Sequence, residues 1–279
     1  VAGTQRYARK RDDWLCEIEE FHSDQTAGRI PMKTYAGLIA RAGSELSKRA
    51  KRAKVPLVNV WYNSPARERL PGVFPDFSKI GALAGEHLIE RGFRQFACAS
   101  GAREAGHKDM IQAFHRVIWE HGCHCSCQTV GRFYYRNGKS WARFQETLTC
   151  RRLGMRVPED VAIVGGMNEP NVAEMPPPSL TSVEINYEQI GYHAANMLSQ
   201  LMSGEQLTQQ HIFLAPTGVV ARDSTDYFAV DDEVVAAAMR FIEQSTKQDI
   251  DVNDVADAAG VSRRTLERRF RDGCGRSVA

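Results

Sequence analysis

Over its first 230 residues the chain alternates short apolar runs with segments of helical apolar spacing, and this alternation restricts the fold more than any other feature. The runs at residues 14–19, 36–42, 56–61, 95–100, 125–130 and 161–166 read as strands, several of them nearly continuous in apolar character. Between them, residues 44–52, 78–91, 110–121 and 140–148 carry helical spacing. A strand that is apolar on both sides has to be covered on both sides, and the intervening helices supply that cover. The expectation is an α/β fold with parallel sheets. In such folds ligands sit beyond the carboxyl ends of the strands.

Composition excludes several classes. Of 279 residues, 43% are hydrophobic and 25% charged, which is ordinary globular usage and excludes collagen-like and wholly disordered chains. The net charge of +2 argues against a uniformly basic coat protein or an acidic tail. No apolar run approaches the roughly 18 residues needed to span a bilayer, and the polar start has no apolar signal region, so a cytoplasmic protein with no membrane partner is expected.

The seven cysteines are an odd count and read as free thiols rather than a disulfide framework. Cys123, His124, Cys125 and Cys127 are of the type that soft metal ions prefer. Their spacing argues against a site, because alternate residues of one strand share a face and no second CxxC or HxxxH pair completes a tetrahedron. Structural cysteines on a strand are expected here, with no metal and no cofactor.

The last fifty residues change character. From Asp232 onward no strand signal remains, and helical patterns follow at residues 232–244, 252–259 and 262–271. This predicts a small all-α domain over residues 227–279, after a larger α/β domain over residues 1–226. Val252, Val255, Ala256 and Ala259 keep helical spacing, and Gly260 then ends the helix, because glycine tolerates the left-handed turn. Val261 plugs the space between helices and Ser262 is a good N-cap for the next one. Helix, glycine turn and capped helix make a helix-turn-helix.

In the second of these helices Leu266 and Phe270 are four apart and face a core. Arg263, Arg264, Glu267, Arg268 and Arg271 occupy the remainder. From Arg263 to Arg276 six arginines stand against Glu267 and Asp272, a net +4 over 14 residues, more than the whole chain carries. A cationic helix presented this way suits the major groove, where arginine grips guanine O6 and N7 in bidentate fashion. Charge alone fits a solvated surface helix equally well; the glycine turn, serine cap and core spacing favour DNA.

The run Ala256-Asp257-Ala258-Ala259-Gly260-Val261-Ser262-Arg263-Arg264-Thr265-Leu266-Glu267-Arg268-Arg269-Phe270, with Gly275-Arg276-Ser277, resembles the first helix-turn-helix of the AraC family of transcription activators. Members of that family carry two such motifs joined by a long helix, and the stretch up to Ala279 holds the first. The resemblance implies that Arg264, Glu267 and Arg268 contact bases.

Residues 155–166, MRVPEDVAIVGG, with Met167-Asn168-Glu169 and then PPPSLTSV at 176–183, resemble LacI/GalR-type sensor domains. The helix pattern at 187–202 and VVARDSTD at 219–226 match the same family. This resemblance implies a two-lobed, periplasmic-binding-protein-like sensor that closes on a small sugar such as xylose or a related compound. A sensor of this type ahead of an AraC-type reader implies a sugar-responsive activator rather than an enzyme. Its implied partners are operator DNA, a second copy in a homodimer, and RNA polymerase. A solute-binding protein without DNA activity is the alternative, and the arginine-rich end argues against it.

The chain departs from that family where a ligand would be held. Met167 stands where related sensors carry an acidic residue, and Gly106, His107 and Met110 stand where the family offers Trp, Ser and Arg. Losing an aromatic platform and polar anchors weakens the case for a simple pentose, because unpaired sugar hydroxyls are costly to bury. Asn168 and Glu169 remain the best ligand contacts, with a surface turn as the other reading; Met167, His107 and Met110 complete the candidate set.

Between residues 130 and 150 the pattern lacks one strand and most of a helix, so roughly 30 residues, the size of a βαβ unit, are expected to be missing near Thr147 to Arg151. The length of 279 then reads as a lower bound on the full protein. The stretch Gly131 to Ser140 superficially resembles a phosphate-binding loop. It fails on spacing, since six residues separate its glycines where the cradle needs four. Lys48, Arg49, Lys51, Arg52 and Lys54 read as a solvated helix face.

Overall fold

The computed structural model describes residues 1–11, 13–18, 32–100, 105–129, 150, 153–168, 178–230, 232–245, 249–274 and 277–278. Apart from Cys150, the stretch Thr147 to Arg151 where residues were expected to be missing lies outside these residues, as do the stretch 131–140 and the helix expected at 140–148. The chain forms two compact units. The first comprises Val1–Ile80, Arg103–Met110 and Glu184–Gly218; the second comprises Gly81–Ala102, Ile111–Val183 and Val219–Ala279.

The first unit is built on a four-stranded parallel sheet in the order β1-β2-β3-β8, with β1 Leu38–Ala40, β2 Leu57–Asn59, β3 Gly72–Pro75 and β8 His211–Leu214. Parallel strands need crossovers, and α2, Ser44–Ala53, supplies the one between β1 and β2. Its Leu46 and Ala50 are buried with Ala42 and Leu57, while Lys48, Lys51 and Arg52 are exposed as the charge pattern predicts. Val58, Val73 and Phe74 of the central strands are fully buried. Helix α1, Ala2–Ala8, lies against α5, Tyr187–Met202. Gly3 makes that approach possible, since a Cβ there would fall 1.7 Å from the Glu188 carbonyl oxygen.

The second unit contains the parallel pair β4, Gln95–Ser100, and β5, His124–Thr129, and a three-stranded sheet in the order β6-β7-β9. The latter strands are β6 Val164–Gly165, β7 Thr181–Glu184 and β9 Gly218–Val220. Most of α3, Phe77–Glu90, and the later turns of α4, Ala105–Glu120, also belong to this unit. Val117 and Phe114 of α4 pack beside Gly85 of α3, close enough that a Cβ there would lie 3.2 Å from Val117.

The expectation of an α/β fold with parallel sheets holds for the four-stranded sheet of the first unit and for the β4–β5 and β6–β7 pairs of the second. The details differ in ways with physical causes. The strand expected at residues 14–19 makes no ladder over its described part, and Leu15 is 90% and Ile18 56% exposed. Apolar content without a neighbouring strand edge does not make a sheet. Strand β3 went unrecognised because Pro71 and Pro75 bracket it; proline is tolerated at strand ends, where its missing N–H costs the ladder nothing. Helix α4 begins five residues earlier than its apolar spacing indicates.

The C-terminal segment, within the second unit, folds as α6 Glu233–Gln244, α7 Val252–Ala258 and α8 Arg263–Cys274. Val235, Ala238, Met239, Val255, Ala256, Leu266 and Phe270 form one buried cluster with Phe228. Each start is capped. Asp232 accepts hydrogen bonds from the Val234 and Val235 amides at 2.9 and 3.4 Å. Asp251 and Asp254 form a reciprocal capping box on α7.

Candidate functional site

In the first unit a cavity of about 390 Å³ opens among Trp61, Tyr62, Asn63, Ser64, Pro65, Arg67, Glu68 and Ala105. Its wall is the loop that leaves the carboxyl end of β2, where an α/β fold exposes ligand-binding groups. Asn59, fully buried at the end of β2, shapes that loop. Its Oδ1 accepts from the Ala42 amide at 3.2 Å and the Trp61 amide at 3.0 Å, and its Nδ2 donates to the Trp61 carbonyl at 3.0 Å. The Ser64 hydroxyl adds a short hydrogen bond to the Ala42 carbonyl and accepts from the Ala66 amide at 3.0 Å. A loop held at both ends by buried polar side chains presents its aromatic rings at little further cost in conformational entropy.

Tyr62 is the hub. Its phenol donates a short hydrogen bond to the Asp109 carboxylate, and its ring packs 4.9 Å from Phe77 and 5.9 Å from Phe74. The Arg67 guanidinium lies 4.4 Å from the ring centroid. Burial, then the hydrogen bond to Asp109 and its charge, raise the Tyr62 pKa above its ordinary value, so the group stays a donor. Gly106, at the start of α4, donates its amide to Asn63 Oδ1 at 2.9 Å. A Cβ on Gly106 would meet the Phe77 ring at 2.9 Å, so glycine lets the first turn of α4 close on the loop. Aromatic faces beside amide, guanidinium and carboxylate groups are what a small polyol requires: apolar C–H faces stack and hydroxyls find partners.

The sequence-derived ligand residues fall in two places. His107 and Met110 are on the first turns of α4 in the first unit, one and four residues beyond Gly106. The Nδ1 atom of His107 is buried and has no hydrogen-bond partner among the described residues, a state that costs about 1–3 kcal/mol unless a ligand or water satisfies it. Met167 and Asn168 follow the carboxyl end of β6 in the second unit, and the Asn168 backbone amide donates to the Val183 carbonyl at 2.9 Å. Glu169 lies outside the described residues. Sequence reading missed Trp61, Tyr62, Arg67 and Asp109. The available signal was the Trp-Tyr-Asn-Ser stretch at the end of the strand-like run 56–61, an aromatic pair at a strand carboxyl end.

The candidate DNA residues share one surface of α8. Arg263, Arg264, Arg268 and Arg271 are exposed, and Glu267 is half-buried with its carboxylate 2.7 Å from Arg263 Nε. Leu266 and Phe270 point the other way into the core, as the spacing predicts. Gly260 turns the chain at φ +67°, in the left-handed region, and the Ser262 hydroxyl accepts from the Thr265 amide at 3.4 Å. Arg269 is not part of the exposed set. Its Nη1 lies 3.2 and 3.3 Å from the two oxygens of Asp232, tying α8 to the cap of α6.

Comparison with known proteins adds to this geometry. Residues 145–225 match a family model described as a periplasmic binding protein-like domain. The chain is similar to the xylose operon regulatory protein of Escherichia coli (strain K12), 36% identical over 129 residues covering 46% of this chain and 33% of that protein. Among solved structures it is similar to the xylose-binding transcription activator XylR, with a TM-score of 0.62 and 24% identity over 99% of this chain and 78% of that one. It is also similar to the transcription regulator CcpA of Lactococcus lactis, with a TM-score of 0.61 and 18% identity over 80% of this chain and 91% of that one.

The fold is periplasmic-binding-protein-like. The stretch that matches the family model contains Met167, Asn168 and β7, and the cavity at Trp61 and Tyr62 lies outside it. The match spans about a third of the length of the xylose operon regulatory proteins, and about half to three fifths of the other curated relatives. No helix among the described residues is long and apolar enough to cross a membrane.

Proposed function

We propose that this chain is a DNA-binding transcriptional regulator of sugar catabolism, XylR-like and controlled by a small sugar. In this reading residues 1–226 form the sensor and residues 227–279 an AraC-type helix-turn-helix reader. The observation that carries the reading is the coexistence of two features. One is a periplasmic-binding-protein-like fold with an aromatic and polar cavity at a strand carboxyl end. The other is α8, whose four exposed arginines stand on a helix fixed to its neighbours by Leu266, Phe270 and Arg269.

In this mechanism sugar stacks on Trp61 and Tyr62 and satisfies polar groups there and at His107, all within the first unit. Sugar-linked rearrangement of the sensor in a homodimer sets the spacing of two readers. Arg264, Glu267 and Arg268 read base edges, while Arg263 and Arg271 contact phosphates and position the helix. The bound regulator then acts on RNA polymerase in the cytoplasm.

The test combines two measurements on the full chain. A thermal-shift screen over pentoses, hexoses and uronates should show one sugar class raising Tm. Fluorescence anisotropy with DNA from upstream of a sugar-catabolic operon should show binding that responds to that sugar. A sugar-induced shift without DNA binding at any salt concentration would leave the solute-binding alternative in place.

A further inference from the structure

Strand β5 alone cannot complete a metal site, and the tertiary structure supplies the ligands that it lacks. Strands β4 and β5 pair in parallel with Cys98 opposite Cys127, and Cys125 is two residues earlier, on the same face of β5. Helix α4 crosses that face and lowers His115 onto it. The Cys98 and Cys125 sulfurs are 3.6 Å apart, and His115 Nε2 is 2.8 Å from the Cys127 sulfur. All four donor atoms lie within 4.8 Å of one another. All four residues belong to the second unit, so the cluster is a property of one compact body.

We propose that Cys98, His115, Cys125 and Cys127 form a Cys₃His site for a thiophilic d¹⁰ divalent ion of the zinc type. A tetrahedron with Zn–S near ~2.3 Å and Zn–N near ~2.0 Å has edges of roughly 3.5–3.8 Å, so the Cys98–Cys125 edge already has the required length. The remaining donors reach the centre by side-chain rotation, because their backbones are in register on adjoining elements. Cys123 and His124, which the sequence groups with Cys125 and Cys127, are not in the cluster: Cys123 donates to the His121 carbonyl at 3.6 Å.

The crowding of the sulfurs favours a cation, since the Cys98 and Cys125 sulfurs are 3.6 Å apart and all four donor atoms lie within 4.8 Å of one another. Three thiols crowded on one face cannot ionise together without a counter-charge. A bound dication reverses that penalty: the three thiols release three protons to solvent, the neutral imidazole contributes its lone pair, and the loaded site carries a net charge of −1. Cys98, His115 and Cys125 are half-buried and Cys127 is exposed, which shields the centre while leaving an entry path. The ion would staple the second half of α4 to the β4–β5 pair, a pair that has no further strand partner among the described residues.

The experiment is an anaerobic Co²⁺ titration of the reduced full-length chain, with zinc displacement. The expected result is saturation at one ion per chain, with intense tetrahedral d–d absorption, a thiolate-to-metal charge-transfer band, and loss of both when zinc is added. Cys98→Ser should remove about one third of the charge-transfer intensity, since one of three thiolates is lost. His115→Ala should shift the d–d envelope with little loss of charge transfer, and Cys123→Ser should leave the spectrum unchanged. A pale octahedral spectrum or no saturable uptake by the unaltered reduced chain would overturn the proposal. So would a Cys98–Cys125 disulfide in the isolated protein, found by mass spectrometry, together with no metal uptake after reduction. Because the unaltered chain decides the matter, a variant that fails to fold does not obscure the result.

Discussion

Arg269 on α8 holds the Asp232 carboxylate at 3.2 Å, and that same carboxylate caps α6 through the amides of Val234 and Val235. One acid therefore closes a helix terminus and joins two helices. Although burial opposes it, the Val234 amide, the Arg269 guanidinium and the Val235 amide lower the Asp232 pKa below its ordinary value. Asp232→Ala should cost about 1 kcal/mol, the usual loss for an N-cap. Because the folded pKa is depressed, the stabilisation is present above the unfolded value and disappears as pH falls through the folded one. Urea midpoints of Asp232→Ala and the unaltered chain should therefore converge on acidification; a constant gap would remove the carboxylate's charge from the account.

Arg269 and its neighbours on α8 separate structure from recognition. Replacing Arg264 and Arg268 together by Ala should abolish specific operator binding while leaving the circular dichroism and any sugar-induced Tm shift unchanged. Replacing Arg269 by Ala should lower Tm through the lost contact to Asp232 and weaken DNA binding only as far as α8 is loosened. Binding that survives the double substitution, measured by footprinting, would move the reading surface elsewhere.

Gly260 provides a backbone test of the same region. Its φ of +67° strains any residue with a Cβ, and no atom within 4 Å would obstruct that Cβ, so the cost of Gly260→Ala is purely conformational. The expected loss is about 1 kcal/mol in chemical denaturation, with weaker DNA binding because the turn sets the angle between α7 and α8.

His87 sets an acid limit for the second unit. It is 7% exposed, its Nε2 is 2.9 Å from the Thr225 hydroxyl, and burial, then the Arg91 charge, lower its pKa to about 4. Arg91 is itself buried, donating to the Thr225 carbonyl at 2.8 Å and paired with Glu243 of α6. The unfolded chain binds a proton at His87 near pH 6.5 and the folded chain does not. Stability from this group is thus full above about pH 6.5, falls as pH drops toward 4, and is level below that, a span of about 3 kcal/mol. His87→Gln should flatten the pH dependence of the urea midpoint across this window.

The cavity in the first unit predicts a ligand effect. Trp61→Ala should abolish the sugar-induced Tm shift by removing a stacking face. Tyr62→Phe should weaken binding by about tenfold, the loss expected when the hydroxyl that partners Asp109 is removed and the carboxylate is left short of a donor. Met167→Asp, tested beside them, should change which sugars stabilise the chain. Full shifts in all three variants would place the ligand elsewhere.

Local patterns in the sequence determined much of this protein. The strand–helix alternation led to parallel sheets. Gly260, Ser262, Leu266 and Phe270 defined a turn, a cap and a buried face, because each depends on a conformation or a periodicity within a few residues. Tertiary structure decided the rest. Strand β3 needed neighbours on both sides to bury its proline-bracketed run, and residues 14–18 pair with no strand among the described residues. The Trp61 and Tyr62 cavity depends on Asn59 reaching Ala42 and on Asp109 arriving from another helix. The Cys98, His115, Cys125 and Cys127 cluster joins three elements whose separation along the chain conceals it. Side chains distant in sequence meet only when backbone packing sets their distance, and no one-dimensional spacing records that distance.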